Sequence, residues 1–246
     1  MGRTVPRRVC LLTGASGELG TAFCRRHADR YDIVAVYHSR LPQLVSQVSS
    51  LADPLAPGAE LAENGHPVFA VQADLTRDED LARLLEVALA RFGRIDLLVN
   101  AAAWSTRERV LDQHLFPDSL ERHLATNVVA PARLALAVAR ACWQDRPEEN
   151  QACNRNVVNV SSTGGLYVYP DAGQAAYGTS KAALNFLTVH LASEFRLLNV
   201  RVNATAPNTF PQLVPTRRVL DSIVRLDEGD MTGEILLLDT DEESFL

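Results

Sequence analysis

The amino-acid sequence predicts a doubly wound α/β fold, a seven-stranded parallel sheet with helices on both faces, built as one domain over residues 1–246. Three observations predict it. Short apolar runs recur from end to end, each closed by turn residues, as strands buried on both faces require. Between them lie stretches with apolar residues at helical spacing. The first run leads straight into a glycine-rich turn and a helix, and repeated β-α-β order of this kind builds a parallel sheet.

The first run is Val9–Leu12, and Leu19–Ala28 is the helix that follows it. Ile33–Tyr37 is the second run, and Val68–Val71 the third, closed by Ala73-Asp74. Leu81, Leu84, Leu85, Ala88 and Phe92 then fall on one helical face. Thr76 with Glu79 reads as a capping box at its start, and Gly93 as its stop. Ile95–Val99 and Val157–Val160 are the fourth and fifth runs. Leu184, Leu187, Leu191, Phe195 and Leu198 form a second helical stripe, followed by Val200–Val202 and Ile235–Leu238. Ser49–Gly65, with Pro54, Pro57 and Gly58, and the polar stretch Gln144–Asn156 read as the least ordered segments, and the acidic Asp239–Ser244 as a frayed end.

Composition narrows the function. The chain carries 24 Lys+Arg against 30 Asp+Glu, a formal net charge of −6, which argues against nucleic-acid binding. No run approaches the ~18 apolar residues of a membrane span. The apolar stretch after Arg3, Arg7 and Arg8 is shorter than the ~7–15 residues of a signal-peptide core. Pro6 stands where a myristoylation motif needs Ser or Thr. The expectation is a cytoplasmic protein that binds neither nucleic acid nor membrane. Cys10, Cys24, Cys142 and Cys153 show no metal-type spacing, so no metal site is expected and reduced thiols are. The glycosylation sequons at Asn159 and Asn203 lie in strand-like runs and are discounted.

The turn after the first strand reads Thr13-Gly14-Ala15-Ser16-Gly17-Glu18-Leu19-Gly20. Glycines at a strand-to-helix turn let backbone approach a pyrophosphate, and the helix N-terminus offers unpaired N–H groups and partial positive charge. Further on, Tyr177 and Lys181 stand four apart at the start of a helical stripe, hence on one face. A free tyrosine has a pKa of about 10, and a neighbouring ammonium lowers it, so the pair makes a workable general acid/base.

With Asn159-Val160-Ser161-Ser162 ending the fifth strand and Thr126-Asn127-Val128 on the preceding helix, the loop and the Tyr-Lys pair resemble the short-chain dehydrogenase/reductase family. The resemblance runs from about Val9 to Pro207, and through Thr232–Asp239 by a Thr-Gly before the last strand. It implies a Rossmann-type fold and a nicotinamide cofactor. The catalytic residues it implies are Asn127, Ser162, Tyr177 and Lys181. Ser162 would orient the reacting carbonyl oxygen, Tyr177 exchange its proton, Lys181 lower the tyrosine pKa, and Asn127 hold a water serving the lysine. The cofactor would be held by Gly14, Ser16, Gly17, Leu19 and Gly20, by Ser39 and Arg40, by Asp74 and Leu75, by Asn100 and Ala101, by Tyr177 and Lys181, and by Pro207. No acidic residue ends the second strand, whereas Ser39 and Arg40 suit a 2′-phosphate, so NADP(H) is favoured over NAD(H).

Several positions depart from the family pattern. Glu18 replaces a glycine, which gives the spacing Gly14, Gly17, Gly20 of the family's extended branch, and its carboxylate would repel a pyrophosphate unless the side chain points to solvent. Ala103 and Asn208 replace glycines at two other turns, with Asn208 expected to keep its turn by tolerating positive φ. The substrate lid, at about 208–231, is short, and the expectation is an open site for a bulky or carrier-tethered ketone. Trp104, Tyr167, Tyr169 and Phe210 are candidates to line it. The implied reaction is hydride transfer between NADPH and a carbonyl or alcohol substrate. A non-catalytic NADP-sensing or partner-binding relative is the alternative, and a sugar-nucleotide epimerase or dehydratase a lesser one, because the chain ends before a separate substrate domain. The family habit of pairing through the helices that bear Asn127 and Tyr177, with the alanine-rich segment Ala130–Ala141, implies a homodimer or homotetramer.

Overall fold

The computed structural model describes residues 7–42, 68–112, 116–240 and 243–245. The expected loop Ser49–Gly65 lies outside them. The strands are β1 Arg8–Thr13, β2 Tyr31–Tyr37, β3 Val68–Gln72, β4 Leu97–Asn100, β5 Asn156–Val160, β6 Arg201–Pro207, β7 Ile235–Leu238 and β8 Glu243–Phe245. They form one sheet in the order β3-β2-β1-β4-β5-β6-β7-β8. The first seven are parallel, as expected; β8 pairs antiparallel with β7, Leu237 opposite Ser244. The end of the chain is therefore paired rather than frayed. Its polar residues hid a strand that needs only the free edge of β7, and Arg225 lies 5.2 Å from the ring centroid of Phe245.

The helices are α1 Glu18–His27, α2 Asp78–Phe92, α3 Phe116–Leu124, α4 Ala130–Val138, α5 Pro147–Ala152, α6 Ala175–Phe195 and α7 Thr216–Glu228. One core layer packs α2, α4 and α6 on the sheet through Leu84, Leu134, Trp143, Leu191 and Phe195. The other packs α1 and α7 on the opposite face through Phe23, Val219, Ile223 and Leu226. From Phe116 to Trp143 the chain runs as one 28-residue helix, long and apolar enough to span a membrane by length and composition alone. Here it is a core helix, with Leu134, Ala135, Val138 and Trp143 fully buried.

Three local expectations are corrected. The capping box does not form. Asp74 accepts from the Thr76 N–H and hydroxyl at 2.9 and 2.7 Å, and Asp80 accepts from the Asp74 N–H at 2.7 Å, so α2 starts two residues later than Thr76 suggested. Gly93 does end α2, at φ +71°. The polar stretch Gln144–Asn156 is ordered by buried hydrogen bonds. Asn150 donates to the Trp143 and Leu198 carbonyls at 2.7 and 2.8 Å and accepts from Arg155 at 2.7 Å. Asn208 is not at positive φ; it holds its turn by accepting the Thr209 N–H at 2.7 Å and donating to Asp239 at 2.9 Å. Asn159 and Asn203 are fully buried, in accord with discounting their sequons.

Strand order reverses between β1 and β4. The loops that leave them diverge there and open a crevice at the carboxyl edge of the sheet.

Candidate active site

The loop after β1 forms the floor of that crevice. Gly14 sits at φ +71°, and a Cβ there would lie 2.8 Å from the Ala102 backbone. A Cβ on Gly20 would lie 2.4 Å from the Gly14 carbonyl oxygen. Both glycines are dictated by close backbone approach. Gly17 caps α1 without any side chain covering the first amides, which leaves them open to an anion. Thr13, not singled out from the sequence, accepts from the Ala101 and Ala102 N–H groups at 3.0 Å each and ties the β1 loop to the β4 loop.

Glu18 opens α1 with its side chain exposed, and accepts the Thr216 hydroxyl at 2.8 Å. The carboxylate is thus turned toward the start of α7. Arg40 donates to the Ser16 carbonyl at 2.8 Å, reaching from the end of β2 across the loop. With Ser16 and Gly17, the side chains of Arg25, Arg26, Arg40 and Arg217 line a cleft of ≈790 Å³ along the loop's outer flank. Ser39 is exposed beside it. The hydrogen bonds from Thr76 hold the Asp74 carboxyl below its ordinary range. Leu75 packs against the core. Asn100 is buried and donates to Asn159 at 2.9 Å, and Asn159 donates to Thr188 at 2.9 Å. That polar chain supports the crevice from below.

Ser162 ends the β5 segment and Tyr177 lies in the first turn of α6; both line a cleft of ≈370 Å³ with Ser105, Arg107, Gln174, Pro207 and the segment Asn208–Phe210. The Ser162 hydroxyl accepts the Gly164 N–H at 3.1 Å. Burial pushes the Tyr177 phenol up, and a hydrogen bond with Ser162 pulls it down. The His123 ring stands edge-on to Tyr177, centroids 6.4 Å apart. Lys181 is buried, donates to the Val160 carbonyl at 2.7 Å, and sits 5.8 Å from the Tyr177 ring centroid. Burial lowers its pKa to about 8. Burial dominates, so the phenol lies above its ordinary value rather than below it, where a neighbouring ammonium was expected to set it.

The lysine makes a pH prediction. Its folded pKa of about 8 lies below its ordinary 10.5, so between these values the unfolded chain holds a proton that the folded chain has lost. Stability contributed by this group therefore rises with pH across that window and is flat below it. Chemical denaturation of wild type and Lys181→Met from pH 7 to 10 should show wild type gaining on the variant as pH rises; a constant difference would refute the assignment.

Asn127 sits in a π-helical turn, Ala125–Val129, that joins α3 to α4. Its side chain accepts the Trp104 N–H at 2.7 Å and donates to the Trp104 carbonyl and the Ser180 hydroxyl, each at 2.9 Å. It bonds the loop after β4 and the start of α6 rather than Lys181 itself. Of the aromatic candidates, Tyr169 and Phe210 line the cleft. Tyr167 lines a neighbouring groove, and Trp104 stacks under Arg122 at 3.8 Å. The segment expected to be a lid divides: α7 belongs to the core, and only 208–215 lies between β6 and α7. Sequence reasoning missed Ser105, Arg107 and Gln174, because residues outside helices and strands carry no periodicity, and His123 of α3, because a lone buried histidine in a helix gives no signal.

The family model for the short chain dehydrogenase matches residues 8–212. The chain is 33% identical over 207 residues to the A-factor type γ-butyrolactone 1′-reductase (1S-forming) of Streptomyces virginiae, covering 82% of this chain and 71% of that one. It is 30% identical to the 3-oxoacyl-[acyl-carrier-protein] reductase of Synechocystis, covering 81% and 73%. Among solved structures it resembles 4-hydroxyisoleucine dehydrogenase complexed with NADH and succinate (TM-score 0.71, 26% identity, 94% and 97% coverage). It also resembles a Brucella ovis short chain dehydrogenase/reductase with a partially ordered NAD (TM-score 0.70, 26% identity, 95% and 100% coverage).

Proposed function

The chain belongs to the short-chain dehydrogenase/reductase family, and on that premise we propose that it is an NADP(H)-dependent reductase of a carbonyl substrate, running as an alcohol dehydrogenase in reverse. The observation that carries this reading is that Ser162 and Tyr177 line one cleft, with Lys181 buried 5.8 Å from the Tyr177 ring, at the same edge of the sheet as a turn whose Gly14 and Gly20 are required by close backbone approach. Gly14, Ser16, Gly17, Leu19 and Gly20 would hold the pyrophosphate part of the cofactor, Asp74, Leu75, Asn100 and Ala101 its adenosine and middle parts, and Pro207, Tyr177 and Lys181 its nicotinamide end. When bound, a nicotinamide cofactor supplies or accepts the hydride. The chain's own residues do the rest. Ser162 donates to the substrate oxygen and fixes its direction, Tyr177 gives that oxygen a proton, and Lys181 holds positive charge beneath the phenol. Asn127 keeps the loop and helix that frame the pair in register.

The arginine-lined flank supports NADP(H) over NAD(H), since a 2′-phosphate dianion suits Arg40 and its neighbours. Purified protein titrated with NADPH and NADH tests this. NADPH should bind tighter, and Arg40→Ala should weaken NADPH by roughly 10–100-fold while sparing NADH. Equal loss for both cofactors would overturn the role of Arg40, and no binding of either would favour the non-catalytic reading.

The reacting cleft shares Gly164, Tyr169, Ala172 and Gln174 with an adjoining groove of ≈800 Å³, which supports room for a bulky or carrier-tethered ketone. Exposed Val129, Leu136, Phe186 and Val189 support a homodimer or homotetramer, whereas Ala130, Ala135 and Ala139 pack inward. The buried free thiols of Cys10, Cys24 and Cys142 suit a cytoplasmic, reducing setting.

A further inference from the structure

The loop after β4 is held at every second residue. The Trp104 N–H and carbonyl both bond Asn127, at 2.7 and 2.9 Å. The Thr106 N–H donates to His123 Nε2 at 3.3 Å. The Glu108 N–H donates to the Gly173 carbonyl at 2.7 Å. These bonds of the backbone at 104, 106 and 108 fix the path of the stretch that carries Ser105 and Arg107. Ser105 and Arg107 are the two residues of this stretch that line the reacting cleft with Ser162 and Tyr177.

Arg107 is the one charged residue among the described residues lining that cleft. Among the described residues it forms no hydrogen bond or ion pair, unlike Arg8, Arg94, Arg133 and Arg155 elsewhere in the molecule. The rest of the lining, including Ser105, Gln174, Asn208 and Thr209, is neutral and holds no carboxylate. A guanidinium presents a planar fork of donors that fits a carboxylate through two parallel bonds. Arg107 is exposed, so water and salt screen its charge, and the donor fork rather than charge alone gives it selectivity for a carboxylate.

We propose that the substrate is an oxo acid, a ketone carrying a carboxylate, and that Arg107 is the specificity residue that reads the carboxylate while Ser162 and Tyr177 take the ketone oxygen. This rests on the carbonyl-reductase reading. His123 and Asn127 are positioning residues for Arg107, acting through the backbone of Thr106 and Trp104.

The test compares 2-, 3- and 4-oxopentanoate with their methyl esters, in wild type and Arg107→Gln. Rates are measured with NADPH, and binding is measured by calorimetry to the NADP⁺-loaded protein, where no reduction occurs. At least one acid should exceed its ester by roughly 10–100-fold in kcat/KM and in affinity. Arg107→Gln should erase that preference through KM, the acid losing far more than its ester, with NADP⁺ binding unchanged. Equal treatment of every acid and its ester by wild type would overturn the proposal, as would an equal loss for both in the variant. Arg107-dependent binding of the acid without turnover would uphold the anion reader and refute the reductase reading.

Discussion

Tyr177→Phe is expected to lower the carbonyl-reduction rate by roughly 10²–10⁴-fold, the range typical of a lost general acid. The phenol lines the cleft with the Ser162 hydroxyl, which pulls its pKa down against the push of burial. Phenylalanine keeps the ring, its edge contact with His123 at 6.4 Å and the packing of the first turn of α6, so the fold should persist. The decisive readout is the pair of measurements together. NADPH titration should be unchanged while single-turnover reduction collapses. A variant that retains most of its rate would assign the proton to another donor and remove Tyr177 from the mechanism. Ser162→Ala should be less severe, since it removes orientation while the acid remains.

Asp227→Ala should destabilise the protein by about 3–5 kcal/mol, the cost of removing one partner from a buried, hydrogen-bonded ion pair. Asp227 is buried at the end of α7, beneath the amino-terminal edge of the sheet. Its carboxylate accepts from Arg8 at 2.9 Å, Tyr31 at 2.7 Å and Asn156 at 2.9 Å, joining the starts of β1, β2 and β5 to one helix. Burial, and then the Asp227 charge, push the Tyr31 phenol up, so the tyrosine remains a donor. Alanine would strand three donors and leave the partly buried Arg8 without its counter-charge. For a chain of this length the expected fall in Tm is on the order of 10 °C. Tyr31→Phe, which loses one donor and keeps the carboxylate, should cost about 1 kcal/mol. Because this cluster lies at the sheet edge opposite Ser162 and Tyr177, Asp227→Ala should leave kcat intact below its melting transition. An unchanged Tm would show that the network is incidental.

How much of this was legible beforehand depended on range along the chain. Buried parallel strands show as apolar runs whatever their partners are, so β1 to β7 were readable one by one. Gly14 and Gly20 were readable because glycines at a strand-to-helix turn mark a cradle, although only Gly20 answers to its own loop, through the Gly14 carbonyl, and Gly14 answers to the Ala102 backbone after β4. Tyr177 and Lys181 were readable because four residues along a helix is one face. Polar segments that depend on distant partners were not. β8 exists because β7 leaves an edge, and α5 is ordered because Asn150 finds carbonyls at Trp143 and Leu198.

The sequence by itself determined the seven parallel strands, the glycine-rich turn after the first of them and the Tyr177–Lys181 pair, since each is written in local spacing; Ser162 came through the family resemblance. Tertiary structure alone decided what surrounds them. It turned Glu18 toward Thr216, gave Lys181 to the Val160 carbonyl, and set Asn127 and His123 against Trp104 and Thr106 so that Arg107 lines the cleft. The physical reason is that hydrogen bonds to loop backbone have no periodicity. They are made between residues far apart in the chain, where only the folded packing brings donor and acceptor within reach.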